Sequence, residues 1–159
     1  MSEGILHKMM IGRFWKNWEM RMSQNNNLYV DPSDPTVKNY AEQFKPVEGD
    51  SNVEIAKTLW RHINNNYGYK LTKTWQRPAD LIKSGVGDCE DYVFLISSLL
   101  PHLGVKNFTI VAGEADVNNA SELHVWMKVD GEVIDPTAQI GQKMNVTYKP
   151  ELEFDVALE

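Results

Sequence analysis

The stretch that most constrains this chain is Gly85-Val86-Gly87-Asp88-Cys89-Glu90-Asp91-Tyr92. It contains the chain's one cysteine, preceded by two glycines and an aspartate and followed by the apolar run Tyr92 to Ile96 and Leu99-Leu100. Glycines supply the backbone angles of a tight loop, and aspartate is a good helix N-cap. The pattern predicts a loop that turns into a helix, with Cys89 in the first turn. Unpaired backbone N–H groups and the positive end of the helix dipole meet there, and a thiolate is a charge such a place stabilises. A lone cysteine is also compatible with a small buried hydrophobe. Two acids beside a thiol raise its pKa; on a helix, Glu90 and Asp91 are expected to project away from the Cys89 face.

Two later stretches turn the reading toward chemistry. One is Glu122-Leu123-His124-Val125-Trp126-Met127-Lys128-Val129, and the other is Glu132-Val133-Ile134-Asp135-Pro136-Thr137. Both read as strands, and Asp130-Gly131 between them is a type I′ hairpin signal. A two-residue turn pairs Val129 with Glu132. Carried outward, that register sets His124 opposite Thr137 and diagonal to Asp135, within reach of a long side chain. Cys89, His124 and Asp135 are then nucleophile, base and orienter. Acyl transfer also needs oxyanion donors. The Cys89 backbone N–H is the first, and Trp75 and Gln76 are candidates for a second. His7, His62 and His102 have no acidic partner in register. One Cys and one His give no closed ligand set, so no metal or other cofactor is expected.

Helices precede the strands. Ile11, Phe14, Trp15, Trp18 and Met22 recur at helical spacing. Asp34-Pro35 is a cap followed by proline at the first helical position; the helix it opens runs through Tyr40 and Phe44. Ser51 and Glu54 form a capping box for a helix to Asn66, with Val53, Ala56, Trp60, Ile63 and Tyr67 on one face. A short helix closes at Gly85, and the Cys89 helix runs to about Leu103, broken by Pro101. Asn107 to Ala115 reads as a strand, 114–121 as a polar loop, and 145–148 as weak strand in a tail of unclear role. Segregated helices and strands predict an α+β fold. The expected organisation is one domain over 1–159: a helical extension over 1–50, a core over 51–138 and a tail over 139–159.

The chain has 159 residues and a net charge of -6. That charge argues against a nucleic-acid partner, and no apolar run approaches the length of a membrane span. The first 22 residues lack the apolar run of a secretory signal, and one cysteine forms no internal disulfide. The compartment expected is the cytoplasm.

Taken together, Trp75, Pro78, the 85–92 stretch, Leu99-Leu100, Leu103-Gly104, His124-Val125-Trp126 and Ile134-Asp135-Pro136-Thr137 resemble the transglutaminase-like superfamily of papain-fold cysteine enzymes, in its microbial form. The resemblance spans roughly 52–138. It implies a papain-like core, with a cysteine-bearing central helix packed on an antiparallel sheet. It implies a Cys89-His124-Asp135 triad acting through a thioester on a protein or peptide substrate. Hydrolysis of a peptide or amide bond is the first expectation. The alternatives are a protein-glutamine transglutaminase, and a binding or structural module with the triad idle. Calcium dependence is not carried over.

Overall fold

The structure is a computed structural model that describes residues 16, 18–20, 22, 29–71, 74–117, 120–141 and 146–157. Ile11, Phe14 and Trp15, three of the apolar positions of the first expected helix, lie outside them. Trp18 is helical, and Trp18 and Met22 are buried in the core.

Helix α1 (Pro35–Ala41) opens on Asp34, whose carboxylate accepts from the N–H groups of Thr36 and Val37. Helix α2 (Asn52–Asn66) opens on Ser51, whose hydroxyl accepts from the Glu54 N–H. Its buried face is Ile55, Ala56, Leu59 and Ile63, a rotation from the expected stripe. Val53, Trp60 and Tyr67 are half-buried, and the Trp60 indole spans to the Ala138 carbonyl at 2.8 Å. Strand β1 (Gly68–Tyr69) pairs in parallel with β2 (Val86–Gly87). Between them lies α3 (Pro78–Ser84), ended by Gly85 in the left-handed conformation at φ 71°.

Helix α4 (Cys89–Leu99) is buried along nearly its whole length, including Tyr92, Val93, Phe94, Leu95, Ile96 and Leu99. Each such apolar side chain contributes about 1.5–3 kcal/mol when fully removed from water. A 3-10 turn (Leu100–Leu103) carries Pro101 and closes at Gly104, φ 89°. The helix lies on an antiparallel sheet of order β5-β4-β3-β6: β3 (Asn107–Val117), β4 (Ala120–Val129), β5 (Glu132–Ile134) and β6 (Val146–Ala157). Ile110, Ala112, Val125 and Met127 join the core with α4, while Val111 and Trp126 are buried on the other face.

Two expectations are corrected here. Residues 114–117 and 120–121 are strand rather than loop: β3 and β4 stay paired from Glu114↔Leu123 to Val117↔Ala120. Their polar side chains find partners, with Lys149 to Asp116 at 3.0 Å and Ser121 to Glu114 at 3.4 Å. The tail is a full edge strand of 12 residues rather than a trace around Tyr148. The register between β3 and β6 shifts at Ala112/Gly113, opposite Pro150. Proline is tolerated there because an edge strand tolerates a missing donor. Gly113 must be glycine at this shift, since a Cβ would sit 2.2 Å from the Lys149 carbonyl oxygen.

Candidate active site

Asp88 starts α4 with a reciprocal capping box. Its side chain accepts from the N–H of Asp91, and the Asp91 carboxylate accepts from the Asp88 N–H at 3.1 Å. This fixes Cys89 as the first helical residue. Gly87 is held close beneath, and a Cβ on it would meet Leu81 at 2.8 Å and the Asp91 carboxylate at 2.9 Å.

The Asp130-Gly131 turn has positive φ at both residues, 49° and 80°, as a type I′ hairpin requires. The expected register holds: Val129↔Glu132, Lys128↔Val133 and Met127↔Ile134. The ladder then stops, and the chain past Ile134 bends until Asp135 reaches His124. The His124 Nε2 lies 3.0 and 2.9 Å from the two Asp135 oxygens. Thr137 donates to Asp135 at 2.8 Å and lies 3.3 Å from His124 Nε2. Tyr148 of β6 donates to Asp135 at 2.8 Å. Burial pushes the Asp135 carboxyl up, but the bonds and charge of His124, with Tyr148 and Thr137, outweigh it and hold the acid below its usual range. Trp126 stacks near His124, with centroids 6.0 Å apart, and Tyr148 packs on Trp126 at 4.9 Å.

Cys89 is 9% exposed and stands at the backbone N–H of Val125, the residue after His124. Among the described residues no hydrogen bond joins its thiol to the His124 ring. The thiol donates instead to Glu90 Oε2 at 3.3 Å, so Glu90 turns back to Cys89 rather than projecting away. Burial pushes the Cys89 thiol well above its ordinary value, and the Glu90 charge adds to the shift against a weaker contribution from the Val125 N–H. Glu90 itself is pushed up to about 8 by burial and by Asp88. Oxygens of Asp88, Glu90 and Asp91 lie within 4.8 Å of one another.

Trp75 and Gln76, the candidate oxyanion donors, are both engaged with their neighbours. The Trp75 ring packs with Trp18, Tyr29 and Phe94, centroids 4.5 to 5.3 Å apart. The Gln76 N–H donates to Asp91 at 2.8 Å, and its side-chain amide donates to Asp91 and to the Val86 carbonyl at 3.0 and 2.9 Å. Gln76 thereby props the loop before Cys89.

A cleft of about 470 Å³ opens over His124 and Asp135, lined by Tyr69, Leu71, Glu122 and Leu123 among others. Tyr69, Leu71 and Leu123 are exposed large apolar residues on its rim. Tyr69 and Tyr148 were not singled out from the sequence, and Glu90 was expected to point away from the thiol. Tyr148 lay in a tail with weak strand signal, and Tyr69 on a two-residue strand with none.

The sequence profile of the Transglutaminase-like superfamily matches residues 38–132, and the chain belongs to that superfamily. The fold is similar to that of a candidate cysteine protease from Cytophaga hutchinsonii, with TM-score 0.54 and 15% identity over 83% of this chain and 53% of that one. A candidate protease from Parabacteroides distasonis aligns with TM-score 0.47 and 11% identity, over 72% of this chain and 30% of that one. The chain thus spans about half the length of the first of these proteins and less of the second. No curated protein matches the sequence. The α+β architecture, with the cysteine helix on an antiparallel sheet, is that of papain-like and transglutaminase-like proteins. Among the described residues no helix is long and apolar enough to cross a membrane.

Proposed function

We propose that the chain is a cysteine hydrolase, a protease or amidase, with Cys89 as nucleophile, His124 as base and Asp135 as its orienter. The observation that carries this reading is the buried His124–Asp135 pair at 2.9 Å, on the strand whose next residue offers its N–H to the Cys89 sulfur. Asp135 takes Nε2 of the ring, which leaves Nδ1 for the thiol. His124 accepts the thiol proton, and the thiolate attacks the substrate carbonyl to give a tetrahedral oxyanion. Collapse breaks the C–N bond, and His124 returns the proton to the leaving amine. Water, deprotonated by the same ring, then hydrolyses the thioester and frees Cys89. The substrate is a protein or peptide, received in the cleft over His124.

The test is the pH profile of iodoacetamide alkylation at Cys89, in wild type and His124→Ala, with turnover of Cys89→Ala beside it. Labelling that persists below pH 8 and slows in His124→Ala supports the reading. So does loss of turnover in a Cys89→Ala protein that melts like wild type. Turnover equal to wild type in Cys89→Ala overturns it. One observation favours a second reading, a binding module with an idle triad: the thiol bonds to Glu90 and not to His124. Labelling that follows an ordinary thiol and ignores His124 selects that alternative.

A further inference from the structure

An oxyanion formed at Cys89 needs two donors, and the two upstream side chains that might give the second are occupied. All three N–H groups of Gln76 are spent on Asp91 and Val86, and the Trp75 ring is packed among Trp18, Tyr29 and Phe94. A different donor stands at the cleft. Tyr69 lines the same cavity as His124 and Asp135. Among the described residues its hydroxyl has no hydrogen-bond partner, whereas Tyr148, Tyr92, Tyr67 and Tyr40 each use theirs.

The backbone beneath Tyr69 is tied to the cysteine loop. Tyr69 pairs with Gly87, two residues before Cys89. The Gly68 N–H donates to the Gly85 carbonyl and the Lys70 N–H to the Gly87 carbonyl, both at 2.9 Å. The hydroxyl of Tyr92, on α4 itself, donates to the Gly68 carbonyl. Cys89, Asp88, Glu90 and Glu122 are the acidic groups that act on the Tyr69 hydroxyl. Burial first, and then those charges, push its pKa up to about 12, so it stays a donor at any working pH.

We propose that Tyr69 is a catalytic residue of this site, donating its hydroxyl hydrogen bond to the oxyanion of the tetrahedral intermediate alongside the Cys89 backbone N–H. This rests on the reading of Cys89 as a nucleophile. The proton stays on Tyr69, and the bond strengthens as negative charge moves from sulfur to the carbonyl oxygen. A hydrogen-bond donor held where negative charge develops is the arrangement that lowers such a barrier.

The experiment compares two reagents on wild type and Tyr69→Phe. p-Nitrophenyl acetate acylates Cys89 through a tetrahedral oxyanion; iodoacetamide alkylates it by displacement at a saturated carbon, with no oxyanion. The expected result is acylation slowed about 10- to 100-fold with alkylation within about twofold of wild type and an unchanged melting temperature. Acylation at the wild-type rate overturns the proposal, as does an equal slowing of both reactions, which would mean that Tyr69 acts on the thiol. Gln76→Ala is the internal contrast. Selective loss of acylation there, with alkylation intact, returns the role to Gln76 and overturns the proposal. If wild-type Cys89 reacts with neither reagent in a His124-dependent way, the nucleophile reading falls and this one falls with it.

Discussion

The two halves of the candidate site differ in how far their chemistry is satisfied. On the sheet side, Asp135 is held by His124, Thr137 and Tyr148, all between 2.8 and 3.0 Å. On the helix side, the Cys89 thiol meets the Glu90 carboxylate, and burial keeps it protonated. One half is tied by several hydrogen bonds, and in the other the thiol bonds to a neighbouring acid rather than to the His124 ring. A buried carboxylate whose oxygens are both hydrogen-bonded needs no rearrangement of its partners. Under the proposed reading, the thiol must first lose its Glu90 neighbour, which makes the helix side the one to perturb.

The comparison breaks most sharply at Asp135. Asp135→Asn removes the charge that orients His124, and kcat/KM should fall about 10⁴-fold. Steady-state kinetics with circular dichroism to confirm folding reads this. Next comes Glu90→Gln. Taking away the charge beside sulfur should raise iodoacetamide labelling about 10-fold at pH 9, where Glu90 is ionised, since one pKa unit separates the thiolate fractions tenfold. A rate equal to wild type would show that Glu90 does not restrain Cys89.

The same two acids should act on stability at opposite ends of the pH scale. Glu90 is raised from 4.5 to about 8 in the folded protein. The stability it contributes is complete below about 4.5 and is lost as pH rises toward 8, by on the order of 1.4 kcal/mol per unit. Asp135 is lowered from 3.8. Its contribution is present above 3.8 and lost as pH falls through the lower folded value. Urea midpoints from pH 3 to 9 should show both slopes, and Glu90→Gln should flatten only the alkaline one. A smaller effect is expected from Gly87→Ala. Its Cβ would press on Leu81 and the Asp91 carboxylate, at a cost of about 1–3 kcal/mol, read as a lower Tm. An effect of similar size comes from Tyr148→Phe, which should cost about 1.5–3 kcal/mol as one hydrogen bond to a charged acceptor, with His124 still paired.

Much of the helix side could be read along the chain because its signals are local. Asp88 before Cys89, Gly85 at a left-handed position and Ser51 with Glu54 all act within a few residues. The hairpin register was readable for the same reason, since Asp130-Gly131 fixes it. What escaped depends on distant neighbours. Glu114 and Asp116 look like loop residues until Ser121 and Lys149 are placed across from them. Strand β6 carries alternating Leu152, Phe154 and Val156, yet Pro150 interrupts the pattern where the sheet shifts register. Glu90 turns back to the Cys89 thiol, a side-chain choice that helical spacing does not encode. Gln76 looked like an oxyanion donor because its amide was visible in the sequence and its attachment to Asp91 was not.

The parallel pairing of Gly68–Tyr69 with Val86–Gly87 is only two residues long. It stitches one wall of the cleft to the loop that presents Cys89, and Tyr69 on it is 59% exposed. Such a short ladder opens and closes independently of the buried helix behind it. The amide hydrogens of Gly68 and Lys70 are therefore clocks. The rate at which they trade with deuterium, set against those of α4, counts how often the site comes apart while the protein stays folded.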